Sequence, residues 1–254
     1  MLKFEQIVFG PIHSRRLGSS LGINLLPIEG KICNFDCIYC ECGWNALSHA
    51  VASQMPSAAD VSAALENKLK ECASYGVGID SITFSGNGEP TLHPEFPAIV
   101  DSTLSLRNSY CPGAAVSVLS NGTMLHRDEV ISALRRVDNP ILKLDAPDDV
   151  SLNAINHPRA GMSVERIVEG LVRMNGDFIL QTMFLKGSAV DFEENAELLE
   201  KWFSIVRRVR PRKIMVYTLD RPAPQAGLEK MPVETMKRLL SPLMKECFNL
   251  QING

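Results

Sequence analysis

The sequence predicts a partial (β/α)6 TIM-like barrel of parallel strands in one α/β domain, residues 1–254, and three observations carry that expectation. Six short, nearly continuous apolar runs alternate with segments of helical period, as parallel strands covered on both faces do. The chemically unusual motifs all follow strand runs, the side on which barrel folds build their sites. A length of 254 residues suits a single domain of barrel size.

Taken in order, residues 1–20 form an N-terminal extension. The strand runs are Leu21–Leu26, Ser81–Ser85, Val116–Leu119, Ile141–Leu144, Phe178–Phe184 and Ile214–Thr218. Between and after them, helical periodicity marks 58–74, 94–107, 127–137, 163–175, 191–208 and 232–247. In the first helix Val61, Leu65, Leu69 and Cys72 make one apolar stripe. Asp191 stands where an N-cap would start its helix, and Pro232 where a first-turn proline would. Serial βα units imply right-handed crossovers into a parallel sheet. Trp44 to Ser57 reads as a loop, and residues 222–254 as a helical tail reached through Arg221-Pro222-Ala223-Pro224.

Composition narrows the function. An apolar content of 45% and a charged content of 22% are those of a globular chain with a core. A net charge of −3 supplies no general attraction to nucleic acid or to anionic membrane. No apolar run reaches the roughly 20 residues that span a bilayer, and the first residues lack the pattern of a secretory signal. The expected location is the cytoplasm, where thiols stay reduced. Seven cysteines is an odd number, and four of them crowd between positions 33 and 42, which favours metal binding over disulfides.

Cys33, Cys37 and Cys40 form a C-x3-C-x2-C run. Thiolates are the soft ligands of iron–sulfur clusters, and this spacing lets one loop wrap three corners of a cube. Three ligands leave one iron open to a cofactor or substrate. The competing reading is structural zinc, with Cys42 or His49 as fourth ligand, in a binding module without redox chemistry. Zinc sites usually present two separated ligand pairs, and no second pair is evident here. A second cluster would have to draw on Cys42, Cys72, Cys111 and Cys247, which are otherwise scattered. The histidines His13, His93, His126 and His157 read as surface or loop residues.

The Cys33–Cys40 segment, with the aromatic Tyr39 before the last cysteine, resembles the signature of the radical S-adenosylmethionine (SAM) superfamily. Gly88-Glu89-Pro90 resembles its second motif, Gly-Gly-Glu-Pro, with Asn87 in place of the first glycine; asparagine also tolerates left-handed φ. Ser120-Asn121-Gly122 is similar to the segment that meets SAM after the third strand. Phe9-Gly10-Pro11, Ser14 through Gly18, Phe84-Ser85-Gly86, Lys143 through Ala146 and Tyr217 through Pro222 look like compact radical SAM oxidoreductases related to tRNA wyosine-base synthases.

The resemblance implies a [4Fe–4S] cluster on Cys33, Cys37 and Cys40, with SAM chelating the fourth iron. Cleavage of SAM would yield a 5′-deoxyadenosyl radical that abstracts hydrogen from substrate. Tyr39 would flank adenine, and the Asn87, Gly88 and Glu89 loop would meet the SAM ammonium. Ser120 and Asn121 would bond polar groups of SAM. Asp145 and Gln181 could reach ribose or substrate, although Asp145 could instead cap the next helix and Gln181 could be a satisfied core group. Tyr217 and Thr218 would line the adenine side. Arg15 and Arg16 are either a solvated basic turn or an anion site for substrate. A flavodoxin- or ferredoxin-like electron donor is implied. The substrate stays open among a modified tRNA base, a peptide and a small metabolite. Replacing any of Cys33, Cys37 or Cys40 with alanine is expected to abolish iron uptake in anaerobically reconstituted protein, whereas Cys72→Ala or Cys247→Ala retains it. Stoichiometric zinc without iron would overturn the cluster.

Overall fold

The structure is a computed structural model that describes residues 4–14, 17–45 and 55–254. Its sheet opens with an antiparallel hairpin, β1 (Val8–Ser14) and β2 (Gly18–Ile23). Parallel strands β3 (Ser81–Phe84), β4 (Ala115–Ser120), β5 (Asn139–Lys143) and β6 (Ile179–Met183) follow. A short β7 (Leu185–Lys186) stands outside this sheet, and β8 (Lys213–Tyr217) continues it. β9 (Glu229–Lys230) pairs with β7 alone, and β10 (Leu250–Asn253) closes the series. The large sheet runs β1-β2-β3-β4-β5-β6-β8-β10 and curls into a half-barrel.

The helices are α1 (Ala58–Ser74), α2 (Phe96–Tyr110), α3 (Asp128–Leu134), α4 (Asp149–Asn156), α5 (Val164–Arg173), α6 (Ala196–Val209), α7 (Val233–Leu239) and α8 (Ser241–Lys245). α1 begins with a capping box in which Ser57 and Asp60 satisfy each other's backbone N–H, and it buries Val61, Leu65, Leu69 and Cys72 as its periodicity predicts.

Several elements differ from the sequence expectation: α4 forms where no helix is expected, and the expected helix 232–247 is divided into α7 and α8. The N-terminal extension contributes β1, because its polar–apolar mixture suits an edge strand paired to β2. The tail beyond residue 222 is not wholly helical: after α8 the chain reverses at Cys247 (φ 63°), and Leu250–Asn253 adds a parallel strand beside β8. α6 starts at Ala196 rather than near 191. Asp191 accepts the Glu193 N–H in a turn of its own, while Asn195 caps the helix through the Leu198 N–H.

Alternation along the strands separates two faces. Leu21, Ile23, Ile82, Phe84, Val116, Val118, Leu142, Leu180, Ile214 and Val216 join the main apolar core beneath the helices. The concave face begins with hydroxyls on β2–β4, where Ser20, Ser81, Thr83 and Ser117 bond one another. Beyond them Ile141, Ile179 and Met215 form a separate apolar cluster with Leu17 and Leu119. Lys143, Gln181 and Met215 are cross-strand partners, so one row on this face carries a cation and an amide toward the strand ends.

Trp202 of α6 is wholly buried against Phe184, Phe192 and Phe203, and its indole N–H donates to the Leu144 carbonyl. Trp202→Ala is expected to lower stability by about 3–5 kcal/mol, read from denaturant unfolding.

Candidate active site

The cysteine loop follows β2 at the C-terminal ends of the parallel strands. Asn24 turns the chain out of the strand, accepting the Leu26 N–H and donating to the Leu26 carbonyl. Ile32 then pairs in parallel with Gly88: the Ile32 N–H donates to the Asn87 carbonyl at 2.9 Å, and the Glu89 N–H to the Ile32 carbonyl at 3.0 Å. Gly88 has φ +137°, and a Cβ there would overlap the Ile32 carbonyl, so the glycine is required for this approach.

The far side of the loop docks on α4. Asp36 and Ile38 donate their N–H groups to the Asn156 and Ile155 carbonyls, and Arg159 N–H to the Asn34 carbonyl. Asn45 staples the loop internally, accepting the Cys33 N–H at 2.9 Å and donating to the Phe35 carbonyl. Lys31 is buried and bonds Asp36 at 3.1 Å and the Gly43 carbonyl at 2.9 Å.

None of the three cysteines is in a disulfide; Cys33 and Cys37 are buried and Cys40 is half-buried. The Asn121 amide points to the Cys33 sulfur at 3.6 Å, and the Asn156 amide to the Cys37 sulfur at 3.2 Å. Burial pushes the Cys33 thiol up to about 12, helped by the Glu89 charge and opposed by Lys31. Burial likewise raises Cys37. The neighbouring Cys42 thiol lowers Cys40, against burial and with help from Lys31 and Lys143.

Buried thiolates at Cys33 and Cys37 therefore need cationic partners, which iron supplies on binding. Among the described residues no three His, Cys, Asp or Glu side chains gather around one point for a single ion. Three unoxidised thiols within eight residues, with side-chain amides aimed at two of the sulfurs, are a donor set that fits an iron–sulfur cluster. His49, the zinc alternative, lies outside the described residues.

Some of the other expected site residues, Asp145 and Asn121 among them, reach this loop. Tyr39 donates its hydroxyl hydrogen to Asp145 and accepts from Lys143 at 2.7 Å, with the lysine 4.7 Å over its ring. Asp145 is fully buried and also accepts the Met183 N–H at 3.0 Å and the Asn156 amide at 2.9 Å. The next helix is capped by Asp148, which accepts the Ser151 N–H at 2.9 Å. Burial disfavours the Lys143 charge, but ionisable neighbours, Tyr217 when deprotonated and Asp145, raise its pKa well above the ordinary value.

Glu89 caps the short turn Pro90–Leu92 through the Thr91 N–H at 3.0 Å and accepts the Asn121 N–H at 2.7 Å. Burial raises its carboxyl, and those donors oppose the rise. Asn87 pins the N-terminal segment through Phe4 and Pro27. Ser120 accepts the Gly122 N–H, Thr218 accepts the Met231 N–H, and Gln181 faces the Met215 sulfur at 3.8 Å.

Arg15 and Arg16 lie outside the described residues; Ser14 and Gly18 on either side pair at the N-terminal end of the parallel strands. Cys72 and Cys111 sit at the C-terminal ends of α1 and α2, which run antiparallel to the strands, and so at that same end. His93 is buried rather than superficial, bridging Pro56 and the Glu95 N–H at the start of α2. Sequence reasoning missed Lys31, Asn45 and Asn156. Lys31 had a possible signal, its place two residues before Cys33; Asn156 had none, being 119 residues from Cys37.

The sequence model of the radical SAM superfamily matches residues 30–201. A UPF0026 protein of Synechocystis sp. is 30% identical over 226 residues, covering 85% of this chain and 77% of that protein. A Brachyspira hyodysenteriae protein named GTPase Obg is 28% identical over 235 residues; 91% of this chain is covered, but only 32% of that protein. Among solved structures, a radical SAM methyltransferase from Sphaerobacter thermophilus superposes with a TM-score of 0.67 at 15% identity, over 92% of this chain and 65% of that one. Archaeal TYW1 superposes with a TM-score of 0.52 at 12% identity, over 89% and 71%. At such identities these two structures show a shared fold.

Gly88→Ala is expected to cost at least ~1–3 kcal/mol of stability and to lower iron loading, because the cysteine loop must leave the Gly88 backbone. Unfolding curves and an iron assay check this, with Gly113→Ala as control, since nothing lies within 4 Å of its Cβ position.

Proposed function

This chain belongs to the radical SAM superfamily, and from that footing we propose that it abstracts hydrogen from a substrate held over the concave face of the half-barrel. It is a radical SAM enzyme that uses a [4Fe–4S] cluster and SAM. The observation that carries the reading is one loop at the strand ends with three disulfide-free cysteines, two of whose sulfurs face buried asparagine amides.

Cys33, Cys37 and Cys40 would hold three irons and leave the fourth to SAM. Held there, the cluster would supply the electron for reductive cleavage of SAM at its S–C5′ bond, to methionine and a 5′-deoxyadenosyl radical. The chain's own residues supply position and electrostatics. Carbonyls of the Asn87–Glu89 turn would face the SAM ammonium, with the Glu89 carboxylate itself spent on Thr91 and Asn121. Ser120 and Asn121 lie beside that turn, Tyr39 bridges the loop to β5, and Tyr217 and Thr218 end β8. Lys143, Gln181 and Met215 share the concave face, where a substrate would meet a cation, an amide and apolar side chains. Asp145 is assigned to holding Tyr39 and Asn156 in place.

We further propose oxidoreductase-type chemistry on a modified tRNA base, a peptide or a small metabolite. A flavodoxin- or ferredoxin-like protein would supply the electron. Free thiols as ligands support a reducing compartment such as the cytoplasm, and no helix of the described residues is long and apolar enough to cross a membrane.

Anaerobically reconstituted protein reduced with dithionite is expected to convert SAM to 5′-deoxyadenosine, slowly alone and faster with cell extract. Fully loaded protein that forms none over hours would overturn the function.

A further inference from the structure

We propose that Asn156, seconded by Asn121, sets the reduction potential of the cluster by donating side-chain N–H groups to two of its three cysteine sulfurs. The inference rests on the cluster reading above. The Asn156 amide reaches the Cys37 sulfur at 3.2 Å, and the Asn121 amide reaches the Cys33 sulfur at 3.6 Å, from opposite flanks of the loop.

The Asn156 amide has one workable orientation. Its nitrogen also donates to the Asp145 carboxylate at 2.9 Å, and a flipped amide would set oxygen against oxygen. Asp145 is in turn fixed by the Tyr39 hydroxyl and the Met183 N–H. The other half of the amide is idle: Oδ1 of Asn156 is buried without a hydrogen-bond partner among the described residues. A buried, unsatisfied acceptor is a penalty, so the residue's contribution lies in its N–H groups. Asn121 is aimed similarly, since its Oδ1 accepts from Thr123 and its amide nitrogen donates to Asn34 at 2.7 Å.

Sulfur carries more negative charge in the reduced cluster than in the oxidised one. An N–H aimed at it therefore stabilises the reduced state preferentially and raises the potential. Removing the donor lowers the potential and makes the cluster harder for a protein donor to reduce. Asn156 is thus a positioning residue acting through Cys37, and Asp145 acts through Asn156.

The test is an anaerobic redox titration of the iron-loaded protein without SAM, followed by EPR of the reduced cluster. For Asn156→Leu the ratio of oxidised to reduced cluster at the wild-type midpoint is expected to rise about tenfold, a drop of 59 mV for a one-electron couple. Asn121→Leu should move the same way by less, in keeping with its longer contact. Thr182→Val, which removes a buried hydrogen bond to the Leu144 carbonyl without touching a sulfur, should leave the midpoint at the wild-type value. Asn156→Ser, too short to reach Cys37, repeats the test in a smaller side chain. If either Asn156 variant loads iron and titrates at the wild-type potential, the proposal is overturned. Should neither load iron, pulsed EPR of wild-type protein labelled with 15N in asparagine side chains decides: a coupling to the reduced cluster upholds the contact, and its absence refutes it. Wild-type protein that takes up no iron would sink the cluster reading itself. Normal loading and SAM cleavage with unshifted variants would remove this inference alone.

Discussion

The parallel bridge between Ile32 and Gly88 is the contact on which the rest of the site depends. Two backbone hydrogen bonds bring the chain after β2 against the chain after β3, and a side chain at Gly88 would forbid them. The bridging Ile32 directly precedes Cys33, so the direction of the cysteine loop is set by its root. From there the loop spans to the end of α4, where Asp36 and Ile38 find carbonyl acceptors. A loop held at both ends by backbone bonds can keep three thiols aligned without metal to fold it.

Such a loop must satisfy its polar groups in a dry place. Lys31 lies buried under the cysteines with Asp36 and the Gly43 carbonyl as partners. Asn45 takes the Cys33 N–H, and Asn34 and Asn121 bond each other across the gap to β4. Low local dielectric strengthens each of these bonds and penalises any that is missing. The same dryness holds the thiols of Cys33 and Cys37 protonated until a cation arrives. Structure and metal uptake are thereby coupled through one buried polar web.

The concave face divides the labour further. Hydroxyls at the start of β2–β4 bond among themselves and close that end of the half-barrel with a polar seam. The apolar cluster of Ile141, Ile179 and Met215 adjoins the Lys143–Gln181 row, in which Met215 pairs with Gln181. A ligand over the ends of β5, β6 and β8 therefore meets Lys143, Gln181 and Tyr217 beside apolar side chains. Specificity resting on so few groups fits a fold that this chain shares with proteins of different names at 12–15% identity. The chain also spans only about a third of one relative, whose remaining length lies beyond the shared part.

The sequence by itself determined the order of strands, the apolar stripe of α1 and the placement of each motif after a strand. Those features are local: a period of two or of 3.6, a capping residue, a cysteine spacing. It also determined the three thiols, because their spacing within eight residues is a chemical pattern that needs no fold. Tertiary structure alone decided which polar side chains surround them. Asn156 is unremarked in sequence. Asp145 looks there like a ribose or substrate contact but is spent on Tyr39, Asn156 and the Met183 N–H. Glu89 and Asn87 look like ligands but spend their side chains largely on backbone N–H and carbonyl groups. β1 and β10 were equally hidden, since an edge strand of mixed burial lacks the continuous apolar run that marks its neighbours. A hydrogen bond between residues more than a hundred positions apart leaves no mark in either local segment. Only the packing of α4 and β5 against the cysteine loop brings those groups within reach of sulfur.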